Sequence, residues 1–399
     1  MRRYTGLLVA ALVVLSAGAV ATAGVVGAQS GDGPVDCSFP VSVTDATGTE
    51  VTVPAEPDRV VALGPSAAQT MWDIGAREKV VGMPMNAYTA YLEDRGNRTD
   101  VYTKALRPDV EATVGAAPDL VLVPNVVSND TVEKLRSVAD DEFAVYRFRE
   151  ARTLEDVAAK TELTGRLVGE FEAAATTAAT LRGQVAAIRD AVGDRPPRRV
   201  YFALGGGWTA GTGTFLDELL TTAGGRNIAA AANISSYAQV SQELLISRNP
   251  EWIVLSGPIP RPSGPAINGT EAIQADQVRR VDANLVSQAG PRVVQPLAAM
   301  AGAFHPGATE GLDLANVQTP VPRTCSAEGV KTATTSPNPQ PVTEPPTPIT
   351  DRPTTDGEAG PTPGASTTTS SQGGPGFGPL AGLLALAGVA LLAGVRRRA

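Results

Sequence analysis

Residues 153–193 carry no strand signal, and that gap sets the plan of the whole chain. The stretch "TLEDVAAKTELTGRLVGEFEAAATTAATLRGQVAAIRDAVG" opens on Thr153-Leu154-Glu155-Asp156 in capping-box style and closes at Gly193. Gly165 and Gly169 are expected to divide it into a short helix and a long one. On both sides, short apolar runs alternate with helical ones, so two α/β halves joined by a helical rod are predicted.

The first half opens with "CSFPVSVTDATGTEVTVP", whose alternation around Asp45-Ala46-Thr47-Gly48 reads as a small β-hairpin. "RVVALGP" then gives a short buried strand at 60–63, and "SAAQTMWDIGA" a helix with Ser66 as its expected N-cap and Gly75 as its stop. "KVVGM" is a second strand, "DVEATVGAAPDLVLVP" a capped helix and a buried strand, and "NDTVEKLRSVADDEFAVYRF" another helix and strand. The second half repeats the scheme with "RRVYFAL", the glycine loop "GGGWTAGTG", "TFLDELLTTAGG", "SQELLISRNP" and "EWIVLSG". "PRVVQP" is expected to be a last strand and "GATEGLDLA" to start a final helix. The predicted class is α/β, each lobe holding a mainly parallel sheet flanked by helices, with lobes at 37–150 and 196–325.

The ends have another character. Arg2 and Arg3, an apolar stretch from Leu7, and small residues up to Ala28 read as a signal peptide over 1–28; a retained membrane helix is the alternative. Residues 326–374 are rich in Pro, Thr, Ser and Gly, a composition that cannot bury a core and that reads as a stalk. The apolar run that follows is long enough for a bilayer span and stops at Arg396, Arg397 and Arg398, which would stay cytoplasmic. The folded part is therefore expected outside the cell, tethered to the outer face of the membrane, where the sequons at Asn97, Asn129, Asn233 and Asn268 could carry glycans.

The two cysteines bracket the folded region. In an exported chain, Cys37 and Cys325 are expected to form a disulfide worth roughly 5 kcal/mol in the chain-entropy model, with two buried thiols as the alternative. A net charge of −8 argues against a nucleic-acid surface. The single histidine, His305, cannot furnish a zinc site, no Gly-x-Ser-x-Gly elbow is present, and "GGGWTAGTG" lacks the lysine of a P-loop. Neither an enzyme nor a resident cofactor or metal is expected. A two-lobed binding protein fits, its ligand lying at the carboxyl ends of the strands.

"RVVALGPSAAQTMWDIGAREKVVGM", "DVEATVGAAPDLVLVPN" and "GTFLDELLTTAGGRNIA…YAQVSQELLISRNPEWIVLSG" together resemble the periplasmic binding proteins of ABC importers for iron–siderophores, haem and vitamin B12. The resemblance implies two lobes bridged by one long rigid helix, little cleft closure, and a monomer that delivers its ligand to a permease dimer. It also implies docking through one glutamate per lobe, here Glu111 and Glu243, each of which also suits a helix start. The implied ligand is a large metal-containing molecule, a ferric siderophore or a corrinoid, with haem or a non-transport adhesive role as alternatives. Aromatic cleft positions of the vitamin B12 binders fall on Trp208 and Tyr237, while others are replaced by Lys104 and by Pro124-Asn125. The expected ligand-contact set is Pro65, Asn86, Tyr88, Lys104, Asn125, Trp208, Tyr237, Phe304 and His305. His305 could be an axial ligand or a loop residue bonded to backbone, and Trp208 and Tyr237 could instead belong to the lobe core.

At the far end, residues 375–399 begin with Pro375-Gly376-Phe377, which resembles the PGF sorting signal of archaeal surface proteins. That resemblance implies an archaeosortase that removes the tail and leaves a lipid in its place.

Overall fold

The computed structural model of the protein describes residues 35–326, Ala266 excepted. The expected signal peptide, the stalk beyond Ser326 and the Pro375-Gly376-Phe377 signal lie outside the described residues. Among those described, no helix is long and apolar enough to cross a membrane.

The first lobe begins with the expected hairpin, β1 (Val41–Thr44) and β2 (Glu50–Val53), in register Val41 to Val53. Its turn is closed by Asp45, whose carboxylate accepts from Thr47 and from Arg136. There follow β3 (Val60–Ala62), α1 (Pro65–Asp73), β4 (Val80–Met83), β5 (Thr99–Asp100), α2 (Val110–Gly115), β6 (Leu120–Val123), α3 (Asn129–Ala139) and β7 (Ala144–Arg147). The five strands pair in the order β5-β4-β3-β6-β7, all parallel. β3 and β6 are buried along their whole length because both sheet faces are covered, which is why they read as unbroken apolar runs. α1 differs from the sequence reading at its start. Gly64 is its N-cap and Pro65 its first residue, while the Ser66 carbonyl accepts from Thr70 inside the helix.

The central segment folds as α4 (Leu154–Val168) and α5 (Phe171–Val192). Thr153 and Asp156 form the capping box reciprocally. Gly169, at φ 81°, ends α4 alone. Gly165 stays helical, since a Cβ there would meet the Ala174 Cβ at 2.2 Å and the two helices could not approach. They pack antiparallel, locked by Arg182 of α5, which binds Glu155 and Glu162 of α4 at 2.6 Å each. α5 is the long bridging helix the resemblance implied: Ala174 lies in the first lobe's core, and Ala178 to Val192 lie in the second's. At 22 residues it spans about 33 Å. α4 runs back beside it, from Leu154 in the second core to Val168 in the first.

The second lobe comprises β8 (Arg198–Ala203), β9 (Trp208–Ala210), α6 (Phe215–Thr222), β10 (Gly225–Asn227), β11 (Tyr237–Gln239), α7 (Gln242–Arg248), β12 (Trp252–Ser256), α8 (Glu271–Gln274), β13 (Val278–Val281), α9 (Ala283–Ser287) and α10 (Val294–Phe304). Its parallel sheet has the order β10-β8-β12-β13, with β9 and β11 forming a separate antiparallel pair. Two expectations fail here. "PRVVQP" is a 3-10 turn leading into α10, and the last strand is β13. Pro296 is tolerated because it stands in the first turn of α10, where N–H groups have no intrahelical partner. "GATEGLDLA" is turns, not helix.

After α10 the chain runs back across the helical hairpin towards the first lobe. Gln184 donates to the Leu314 carbonyl at 2.8 Å, Arg323 lies 3.5 Å from Glu162, and Val35 and Cys325 form a parallel bridge. Cys37 and Cys325 are disulfide-bonded, as expected from their positions. The bond joins the entrance of the first lobe to the strap leaving the second.

Candidate functional site

In a parallel sheet every strand ends on the same edge, and a crevice opens where consecutive strands leave to opposite sides. In the first lobe that point lies between β3 and β6, in the second between β8 and β12. At the first, the strand-end loops touch: a Cβ on Gly64 would meet Pro124 at 2.4 Å. The carboxyl edges of the two sheets meet each other. The loop after β4 bonds to the segment after β13, with Gln288 Nε2 donating to the Tyr88 carbonyl at 2.8 Å and Asn284 Nδ2 to the Ala87 carbonyl at 3.2 Å. Phe148 packs in the first core and Ala151 against the second, so the chain crosses between the lobes at this level.

On the first-lobe wall, Pro65 is half-buried beside Gly64. The Asn86 carboxamide oxygen accepts from the Tyr88 amide at 2.9 Å, and its Nδ2 makes no hydrogen bond among the described residues. Tyr88 is half-buried, and burial pushes its hydroxyl pKa up. The Asn125 carbonyl accepts from Arg147 at 2.8 Å, so Arg147, at the end of β7, holds that loop. Lys104 is exposed in the loop after the edge strand β5.

On the second-lobe wall, Trp208 and Tyr237 share the β9–β11 pair, raised off the end of β8 by a turn in which the Trp208 amide donates to Gly205. Trp208 is half-buried. Tyr237 packs against the lobe core, and its hydroxyl is pushed up to about 12 by burial, with the negative Glu150 adding to it. Tyr237 therefore stays protonated at neutral pH.

Phe304 and His305 do not join this set. Phe304 is fully buried in the second-lobe core, and His305 is buried with its Nε2 3.1 Å from the Gly224 carbonyl. Gly224 precedes β10 and Arg198, which donates to the Phe304 carbonyl, begins β8, so both residues lie at the amino edge of the sheet, opposite the cleft. The cause is the misread "PRVVQP": a helix packed on a parallel sheet returns its end to the edge from which strands start. His305 is thus bonded to backbone, the second of the two readings open at the sequence level.

Glu111 and Glu243 are both exposed, each two residues past a capping side chain, Asp109 or Ser241. The Ser241 hydroxyl first, then a backbone N–H, holds the Glu243 carboxyl below the usual range. All four sequon asparagines are exposed. The residues that sequence reading missed are those linking the lobes, above all Gln288, Asn284 and Arg292. They sit in short elements with no periodicity to betray them, and only the Asp282 cap of α9 marks their place.

The family model described as periplasmic binding protein matches residues 60–285. The chain belongs to the periplasmic binding protein family. Proteins of this family carry solutes for ABC importers instead of transforming them. This binding protein is 43% identical over 319 residues to a cobalamin-binding protein of Halobacterium salinarum, covering 76% of this chain and 85% of the relative. It is 25% identical over 210 residues to a vitamin B12-binding protein of Yersinia pestis, covering 52% of this chain and 72% of that one. Its fold is that of the periplasmic heme-binding protein RhuT from Roseiflexus, with a TM-score of 0.56 at 22% identity over 63% of this chain and 99% of the other. The fold relates it equally to a molybdate-binding protein of Haemophilus influenzae, TM-score 0.57 at 19% identity over 69% of this chain and 94% of the other.

Proposed function

We propose that this binding protein captures a corrinoid, vitamin B12 or a close relative, in the cleft between its lobes and delivers it to an ABC permease dimer. The observation that carries the choice of ligand is the 43% identity over 319 residues to a cobalamin-binding protein. The cleft chemistry agrees with it. A corrin is a broad, largely apolar ring with an amide fringe, which calls for aromatic faces and a few polar groups. Trp208, Tyr237 and Tyr88 supply the faces, and Asn86 and Asn125 the amides. His305 takes no part, so the protein offers no imidazole to the metal of its cargo. Pro65 contributes backbone shape, and Lys104 stands at the edge of the site, where it can pair with a carboxylate or phosphate of the ligand.

Delivery is through Glu111 and Glu243, whose exposed carboxylates can meet arginines of the permease. The protein acts as a monomer on the outer face of the cytoplasmic membrane. There the Pro375-Gly376-Phe377 signal and an archaeosortase would exchange the C-terminal helix for a lipid, and some of Asn97, Asn129, Asn233 and Asn268 would carry glycans. Equilibrium dialysis against cyanocobalamin tests the ligand. Saturable retention of one molecule per chain is expected, and retention no greater than by an unrelated acidic protein refutes it.

A further inference from the structure

The loop at residues 84–92 carries two of the ligand contacts, Asn86 and Tyr88, and its own lobe holds it at one side. The Met85 amide donates to Asp100 of β5 at 3.0 Å, while within the loop Thr89 Oγ1 donates to the Pro84 carbonyl. Its other side is held from across the cleft. Gln288 is buried, 8% exposed, and uses both ends of its carboxamide on this loop. Nε2 donates to the Tyr88 carbonyl at 2.8 Å, and Oε1 accepts from the Tyr91 hydroxyl at 2.8 Å. The same hydroxyl accepts from Gln69 Nε2 at 2.7 Å, and Gln69 Oε1 accepts from the Arg292 amide at 3.2 Å. Arg292 lies 5.6 Å from the centre of the Tyr91 ring and donates to Asp73 at 2.8 Å. Gln69, Asp73, Tyr88 and Tyr91 belong to the first lobe, Gln288 and Arg292 to the second.

We infer that Gln288 is a positioning residue for ligand capture: from the second lobe it fixes the first lobe's contact loop, and with it the width of the cleft, before a ligand arrives. A buried carboxamide with both ends paired tolerates little displacement, since moving either lobe breaks its bonds to the Tyr88 carbonyl and the Tyr91 hydroxyl together. The cleft is thereby preorganised, so that ligand does not meet the cost of ordering the loop. The inference rests on the proposal that this cleft is the ligand site.

The test is Gln288→Met, which keeps the volume and removes both bonds, beside Gln288→Glu, which keeps an acceptor for Tyr91 and removes the donor to Tyr88. Amide hydrogen exchange is measured across the ligand-free chain, together with cyanocobalamin affinity. Both variants should exchange about tenfold faster within 84–92, with α2 and α6 unchanged, and bind cyanocobalamin about tenfold more weakly. Unchanged exchange within 84–92 overturns the inference. So does acceleration spread evenly over both lobes, which would mark a merely structural residue. Should the unaltered protein fail to bind cyanocobalamin, the ligand proposal falls, and the exchange pattern alone still decides the role of Gln288.

Discussion

Glu111 and Glu243 occupy the same place in the two lobes. Each is the second residue of a short helix whose first turn is closed by a capping side chain, Asp109 bonded to the Ala112 amide and Ser241 to that of Leu244. Both carboxylates are exposed, and neither forms an ion pair among the described residues.

Reversing both charges, Glu111→Arg with Glu243→Arg, should abolish uptake in cells while leaving ligand affinity within about twofold, since neither side chain belongs to the expected ligand-contact set. Uptake at the unaltered level would remove docking from the account.

The disulfide couples the two ends of the folded region, and its loss should be felt globally. Cys37→Ser with Cys325→Ser is expected to destabilise the protein by about 2–5 kcal/mol, lowering the melting temperature by about 5–15 °C in calorimetry. Reductant should produce the same fall in the unaltered protein and none in the variant. The strap held by Arg323 and Glu162 should become open to proteolysis at the same time.

Trp208 and Phe304 should separate binding from stability. Trp208→Ala is expected to weaken ligand binding at least about tenfold with a small change in melting temperature. Phe304→Ala empties a fully buried site and should cost about 3–5 kcal/mol of stability with affinity unchanged at temperatures where the variant is folded. His305→Ala should behave like Phe304→Ala in kind, losing the bond to Gly224 and sparing the ligand.

Acid should unfold the first lobe partly through Asp45. Burial opposes its charged form, but hydrogen bonds from Thr47, Arg136 and the Arg147 amide prevail and hold its pKa below the ordinary carboxylate value. A depressed folded-state pKa gives stability that is present above the unfolded value and lost as pH falls through the folded one. Asp45→Asn should therefore be less stable than the unaltered protein at pH 7, and the gap should narrow steadily below pH 4 in denaturant titrations. A gap that widens in acid would contradict this assignment.

The strand–helix alternation, the caps at Asp109 and Thr153 and the hairpin turn at Asp45 were legible in the sequence because each is written in local chemistry, and the cysteine pairing because only two cysteines were available to pair. What escaped was non-local. Val293 and Val294 read as strand by β-branching, yet Pro291 and Pro296 start a turn and a helix. That one error carried Phe304 and His305 to the wrong edge of the sheet. Gln288 and Arg292 take their meaning from partners some two hundred residues away, which no local pattern reports. In the first lobe, the loop that carries Asn86 and Tyr88 was located by counting to strand ends, whereas Arg147, which holds the Asn125 loop, was not.

The central claim is that the cleft takes a corrinoid, and competitive titration of tryptophan fluorescence tests it most directly. Cyanocobalamin should quench saturably at one molecule per chain, with the response from Trp208 lost in Trp208→Ala, and neither haem nor a ferric siderophore should displace it at equal concentration. Saturable quenching by haem or a ferric siderophore, with none by cyanocobalamin, would contradict it.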